Sequence, residues 1–66
     1  MLKLKEFRED RDLLQKDIAS VLGVSQNTYS QYETGRRSIP VELLIKLCIS
    51  FQVSADYLLN IPRKFQ

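Results

Sequence analysis

Residues Gln15 to Thr34 read QKDIASVLGVSQNTYSQYET. This stretch decides the fold. Its apolar residues recur at helical spacing on both sides of Gly23, so it reads as two short helices hinged at that glycine. The turn needs a positive φ, which Gly23 supplies without steric penalty. Two helices that cross steeply need a small residue where they touch, and Ala19 is there. Ile18, Leu22, Val24, Tyr29 and Tyr32 supply the buried sides. On a wheel of about 100° per residue, Gln26, Asn27, Ser30, Gln31 and Thr34 share one arc, opposite the two tyrosines. A solvent-facing helix usually carries Lys and Glu. This one carries amides and hydroxyls, which both donate and accept hydrogen bonds, and amides at a helix start suit base-pair edges in the DNA major groove.

Outward from that hinge, three further helical patterns complete an all-α chain of five short helices, with no strand-period alternation. The first spans roughly Lys3 to Arg11, with Leu4 and Phe7 inward, and stops near Asp12, which tolerates a left-handed backbone. The second runs from Gln15 to Leu22. Ser25 caps the third, which reaches Thr34 and is stopped by Gly35. Pro40 starts the fourth, where Val41, Leu44, Ile45, Cys48 and Phe51 form an apolar stripe. Leu43 falls nearly opposite that stripe and Ile49 on its other flank. Ser54 caps a fifth helix, Ala55 to Leu59, ended by Asn60 and Pro62. Residues 62–66 are expected to fray.

Sixty-six residues suit one domain, 1–66, with marginal stability. The chain is expected to end after the fifth helix, without room for a sensor or protease-like domain. Cys48 is the one cysteine, so no disulfide helps; its apolar neighbours suit a small core residue rather than a reactive thiol. No apolar run approaches a membrane span, and the charged N-terminus MLKLKEFRED is unlike a secretory signal, so a cytoplasmic protein, bacterial or phage-encoded, is expected. The net charge of +2 is compatible with nucleic acid but too small to require it. The chain has no histidine. Glu33 has no partner carboxylate, and no glycine-rich loop could cradle phosphate. No enzyme, cofactor or metal site is expected. The tyrosines could stack on single-stranded bases, but their spacing with Ile18 and Leu22 favours the core.

With these motifs in place, LKEFRED, QKDIASVLGVS, QYETGRR, VELLIKLCISF and VSADYLL, the chain resembles the helix-turn-helix regulators of the phage repressor and Cro class, the XRE-like family. The resemblance runs from about Leu2 to Leu59. It implies a compact five-helix, lambda-repressor-like domain that binds operator DNA, the second motif helix in the major groove and the first across the backbone. Carried over by position, Gln26, Asn27, Gln31 and Ser30 look like base readers. Gln15 and Lys16, at the start of the second helix, look like phosphate-backbone or base-edge contacts, and Thr28, Arg36 and Arg37 look like backbone contacts. Arg8 and Glu33 stand where many members carry an ion pair joining the first and third helices. Leu14 stands where the family usually caps the second helix with Ser or Thr, and Asp12 and Gln52 replace glycines common at helix ends.

The reading is therefore a sequence-specific transcriptional regulator of double-stranded DNA, a repressor, acting as a homodimer on a near-palindromic operator. Tyr57, Leu58, Ile61 and Phe65, extended by Ile49 or Leu43, are the expected dimer surface. The alternative is a protein-interaction module, such as an antitoxin or a subunit of a larger regulator, with DNA binding secondary. Neither reading includes a small-molecule substrate or a membrane.

Overall fold

The computed structural model describes residues 2–59. Among them are five helices and no strand: α1 (Leu4–Asp10), α2 (Gln15–Leu22), α3 (Gln26–Thr34), α4 (Val41–Phe51) and α5 (Ala55–Leu59). Ile61 and Phe65, and the expected fraying of 62–66, lie outside the described residues.

Three of the helix ends use one device. Beyond α2, Val24 N donates to Ala19 O (3.0 Å) and Gly23 N to Ser20 O (3.2 Å), with Gly23 at φ 73°. This paired closure satisfies carbonyls that a helix end leaves open and turns the chain into the hinge. The same arrangement closes α1, where Leu13 N donates to Arg8 O and Asp12 N to Glu9 O. At α4, Val53 N donates to Cys48 O. Asp12 (φ 54°) and Gln52 (φ 53°) occupy the left-handed position at those two ends. That position disfavours an L side chain by about 1–2 kcal/mol. Asp offsets part of this with local hydrogen bonding, whereas Gln does not share that advantage. Arg11 guanidinium donors reach Phe51 O and Gln52 O, placing a cation at the α4 C-terminus.

The helix starts are capped unevenly. Ser25 Oγ accepts from Thr28 N (3.1 Å) at α3, and Ser54 Oγ from Tyr57 N (3.1 Å) at α5. Leu14 has no side-chain acceptor for α2. Instead, Asp17 Oδ2 reaches back to accept from Leu14 N at 2.9 Å, so half of a reciprocal cap survives.

The core gathers Leu4 and Phe7 from α1, Ile18, Ala19 and Leu22 from α2, Tyr29 and Tyr32 from α3, Leu44 and Leu47 from α4, and Leu58 from α5. Phe7 and Phe51 meet edge to face at 5.6 Å, and Tyr29 and Tyr32 do so at 6.5 Å. Lys3 N donates to Leu58 O (2.8 Å), which ties α5 to the start of α1.

Two expectations fail here. The inward face of α4 is turned by roughly 70° from the expected stripe, at about 100° per residue. Leu44 and Leu47 are buried, with Leu43, Cys48 and Phe51 packed against them. Val41 and Ile45, expected inward, are 63% and 54% exposed, and Ile49 is 73% exposed. The cause is composition: VELLIKLCISF is apolar almost all round, so its periodicity admits more than one inward face. Leu58, expected at a dimer surface, is fully buried and has nothing to offer a partner. Its buried side chain anchors the short α5 to the core.

Candidate nucleic-acid interface

The hinge presents α3 with its tyrosines inward and its amides outward. Gln26 and Asn27 are exposed, and Ser30 and Gln31 are half-buried. Gln15, at the start of α2, joins them: Gln15, Gln26, Asn27 and Ser30 line one open hollow of about 380 Å³. Thus four of the expected contact residues share one surface although they span residues 15 to 30. Lys16, Arg36 and Arg37 are exposed, and Thr28 is half-buried. Ser25 Oγ both accepts from Thr28 N and donates to Thr28 Oγ1 (3.0 Å), so the Thr28 hydroxyl keeps its own proton to donate.

Behind this face lies the Arg8–Glu33 pair. Arg8 Nε donates to Glu33 Oε2 at 2.6 Å and Nη2 to Oε1 at 3.3 Å, a two-point contact between α1 and α3. The side chains are 14% and 4% exposed. Arg8 Nη1 also donates to Leu13 O (3.0 Å), which fixes the loop between α1 and α2. The Tyr29 hydroxyl lies buried beside the same carboxylate, short of a hydrogen bond of normal geometry. Burial alone would raise the Glu33 pKa. Hydrogen bonds from Arg8 and Gln15, the Tyr29 hydroxyl and the Arg8 charge outweigh that, and the carboxyl titrates below its ordinary value. The Glu33 hydrogen bond raises the Arg8 pKa against the lowering effect of burial. Burial, with Glu33 beside it, pushes the Tyr29 phenol far above its usual range. Both partners of the pair are therefore held charged.

The pair extends to the surface. Gln15 Nε2 donates to Glu33 Oε1 (3.0 Å), and Gln26 Nε2 makes a long 3.4 Å contact to Gln15 Oε1. A carboxylate only accepts, so it holds the Gln15 amide in one orientation. On the other side of the face, Arg37 Nε donates to Gln31 Oε1 at 3.0 Å. These side-chain links were not visible in the sequence, because they join residues brought together by the Gly23 and Gly35 turns. The one available signal was an amide at the first position of each motif helix.

Among the described residues no group of three or more His, Cys, Asp or Glu side chains could hold a metal ion. No helix there is long and apolar enough to cross a membrane.

The geometry is that of a helix-turn-helix unit, and the helix-turn-helix family model matches residues 4–58. The chain belongs to that family. It is 39% identical over 51 residues to the antitoxin PezA of Streptococcus pneumoniae, an alignment covering 77% of this chain and 32% of that protein. It is 42% identical over 45 residues to the cryptic phage CTXphi transcriptional repressor RstR of Vibrio cholerae, covering 68% of this chain and 40% of the repressor. It is 39% identical over 58 residues to the transcriptional regulator ImmR of Bacillus subtilis, covering 88% of this chain and 46% of the regulator. The chain thus spans less than half the length of each of these relatives. No solved structure gives a significant match.

Proposed function

We propose that this chain binds double-stranded DNA sequence-specifically and regulates transcription, as a repressor working in the cytoplasm. The observation that carries the reading is the outward amide and hydroxyl face of α3, Gln26, Asn27, Ser30 and Gln31, on a helix held rigidly behind by the Arg8–Glu33 pair. In the major groove these side chains meet base edges. Gln and Asn pair in two-point fashion with adenine N6 and N7, each such pair worth about 1–3 kcal/mol of discrimination. The face has no Arg or Lys on α3 for the usual guanine contact, so adenines are the expected targets of Gln26 and Asn27. Gln15, Lys16, Thr28, Arg36 and Arg37 contact phosphate and set the register. The relatives named as a repressor and a transcriptional regulator support this reading.

The active form is a homodimer on a near-palindromic operator, with half-sites about 10 bp apart, because one short helix reads too few bases alone. Tyr57 remains a candidate for the interface. Its ring is partly covered, with Lys3 Nζ 5.3 Å from the centroid. The exposed row Val41, Ile45 and Ile49 on α4 offers more apolar surface. The patch is small, so the dimer completes itself on DNA.

The similarity to an antitoxin favours a second reading, a module whose main partner is another protein. Gel shifts against genomic fragments at two salt concentrations separate the two. The DNA-binding reading expects a discrete shifted species for particular fragments that weakens steeply with salt. Uniform weak binding to every fragment would favour the protein-partner reading.

A further inference from the structure

We infer that Arg37 is a specificity-positioning residue: it fixes the amide of Gln31 so that the amide nitrogen faces the DNA. This rests on the reading of α3 as the base-reading helix.

A glutamine amide has a donor end and an acceptor end of nearly equal size. Flipped by 180°, it reads the opposite hydrogen-bonding pattern. An exposed glutamine samples both orientations, and its recognition of a base is weakened accordingly. Gln31 is not free in this sense. Arg37 Nε lies 3.0 Å from Gln31 Oε1. A guanidinium has only donors, so the atom it meets must be the amide oxygen. The orientation of Gln31 therefore follows from the chemistry of its partner.

The contact is built into the turn. Gly35, at φ 80°, ends α3 and reverses the chain. Arg37 N then donates back to Gln31 O (3.3 Å), and Thr34 Oγ1 donates to the same carbonyl (3.3 Å). Arg37 is thus held to Gln31 at backbone and side chain together. It also lines a hollow with Tyr32, Ile39 and Leu44. Nε is the only donor used on Gln31, which leaves the two terminal nitrogens of Arg37 available for a phosphate.

With its oxygen held by Arg37, Gln31 presents two N–H donors to the groove. It then favours bases that show acceptors there, purine N7, guanine O6 or thymine O4, and disfavours cytosine, whose N4 is a donor. On exclusion of water by the DNA, the Arg37–Gln31 bond strengthens in the lower dielectric. Arg37 thereby contributes sequence preference without touching a base.

The test selects bound sequences from a random DNA pool with the wild-type chain, then measures relative affinity for every single-base variant of the selected site. The same set is measured for Gln31→Ala, Arg37→Ala and the double variant. Both residues lie at the surface, and thermal unfolding checks that all four proteins fold. At the base pair that Gln31→Ala identifies, the wild type prefers its base by about tenfold and Arg37→Ala narrows this to about threefold or less. The double variant shows the same flattened profile there as Gln31→Ala alone. Arg37→Ala also weakens all sequences together, through its phosphate contact, but ratios between sequences are blind to that. If Arg37→Ala lowers every affinity in proportion and leaves that base preference intact, the inference falls while the DNA-binding reading stands. If Gln31→Ala changes no preference, the inference falls with the role of Gln31. If the wild type selects no sequence, the DNA-binding reading falls and takes the inference with it.

Discussion

Helices α3 and α4 each turn a face outward, and the two faces have opposite chemistry. The outer face of α3 is amide and hydroxyl, and its only apolar residues, Tyr29 and Tyr32, are buried. The outer face of α4 exposes Val41, Ile45 and Ile49 in one row, with Glu42 and Lys46 along one flank. A polar face rich in two-way hydrogen-bonding groups is fitted to a patterned polar partner. An apolar row is fitted only to another apolar surface. The same contrast governs what each helix reveals in its sequence. In α3 only one orientation buries the apolar residues. In α4 several orientations do, and the packing of Leu44 and Leu47 against α2 and its neighbours chooses among them.

The largest expected effect tests the orientation of α4. Leu47→Ala should cost about 3 kcal/mol or more, because a fully buried leucine leaves a cavity. For a small domain this approaches the whole stability. Ile45→Ser, two residues earlier, should change the melting temperature little, since Ile45 faces solvent. Denaturant unfolding compares the two. A larger loss from Ile45→Ser would return α4 to the face its periodicity suggests.

Next comes the anchor of α3. Glu33→Gln removes the charge that Arg8 meets in a largely buried setting, and should cost about 3 kcal/mol. Glu9→Gln, at an exposed position, should stay within about 0.5 kcal/mol. Equal unfolding midpoints would remove the pair as the element that fixes α3. The pair also sets an acid limit. The folded-state pKa of Glu33 is lowered, so its stabilisation is fully present above the ordinary carboxylate value of about 4.3 and is lost as pH falls through the lower folded value. Between neutral pH and about 5 this contribution should be flat. Below that, the wild type should lose stability more steeply with falling pH than Glu33→Gln. Parallel acid limbs in urea titrations at stepped pH would contradict the assignment.

A smaller effect, of opposite sign, concerns the end of α4. Gln52→Gly should stabilise the protein by about 1 kcal/mol, because glycine occupies φ 53° without the strain of an L side chain. Asp12→Gly should gain less, since Asp already tolerates that backbone. A loss of stability in Gln52→Gly would mean that the glutamine side chain makes a contribution greater than its strain.

Much of this was legible in the sequence. Helix α2 was bounded correctly because Gly23 and Ala19 allow only one local solution. Helix α3 was legible because Ser25, Gly35 and the two tyrosines fix its start, its end and its inward face. The orientation of α4 was misread, although Glu42 and Lys46 carried the missing signal: with that charged pair outward, the inward face falls on Leu44, Leu47 and Phe51. The burial of Leu58 was hidden because a five-residue helix carries too short a pattern, and the tie between Leu58 O and Lys3 N joins opposite ends of the chain. The links from Glu33 through Gln15 to Gln26, and from Arg37 to Gln31, depend on tertiary turns that no local pattern encodes.

On the proposed reading, the polar face of α3 reads bases while the residues behind it hold the fold. Operator affinity, non-specific affinity and thermal unfolding of the triple variant Gln26→Ala, Asn27→Ala, Gln31→Ala test it most directly. Specific binding should collapse to the non-specific level, a loss of about a hundredfold or more from three readers at about 1–3 kcal/mol each. The melting temperature should stay within a few degrees of the wild type, because these side chains lie outside the core. Retained preference for the selected operator, in a variant that unfolds like the wild type, would contradict the account.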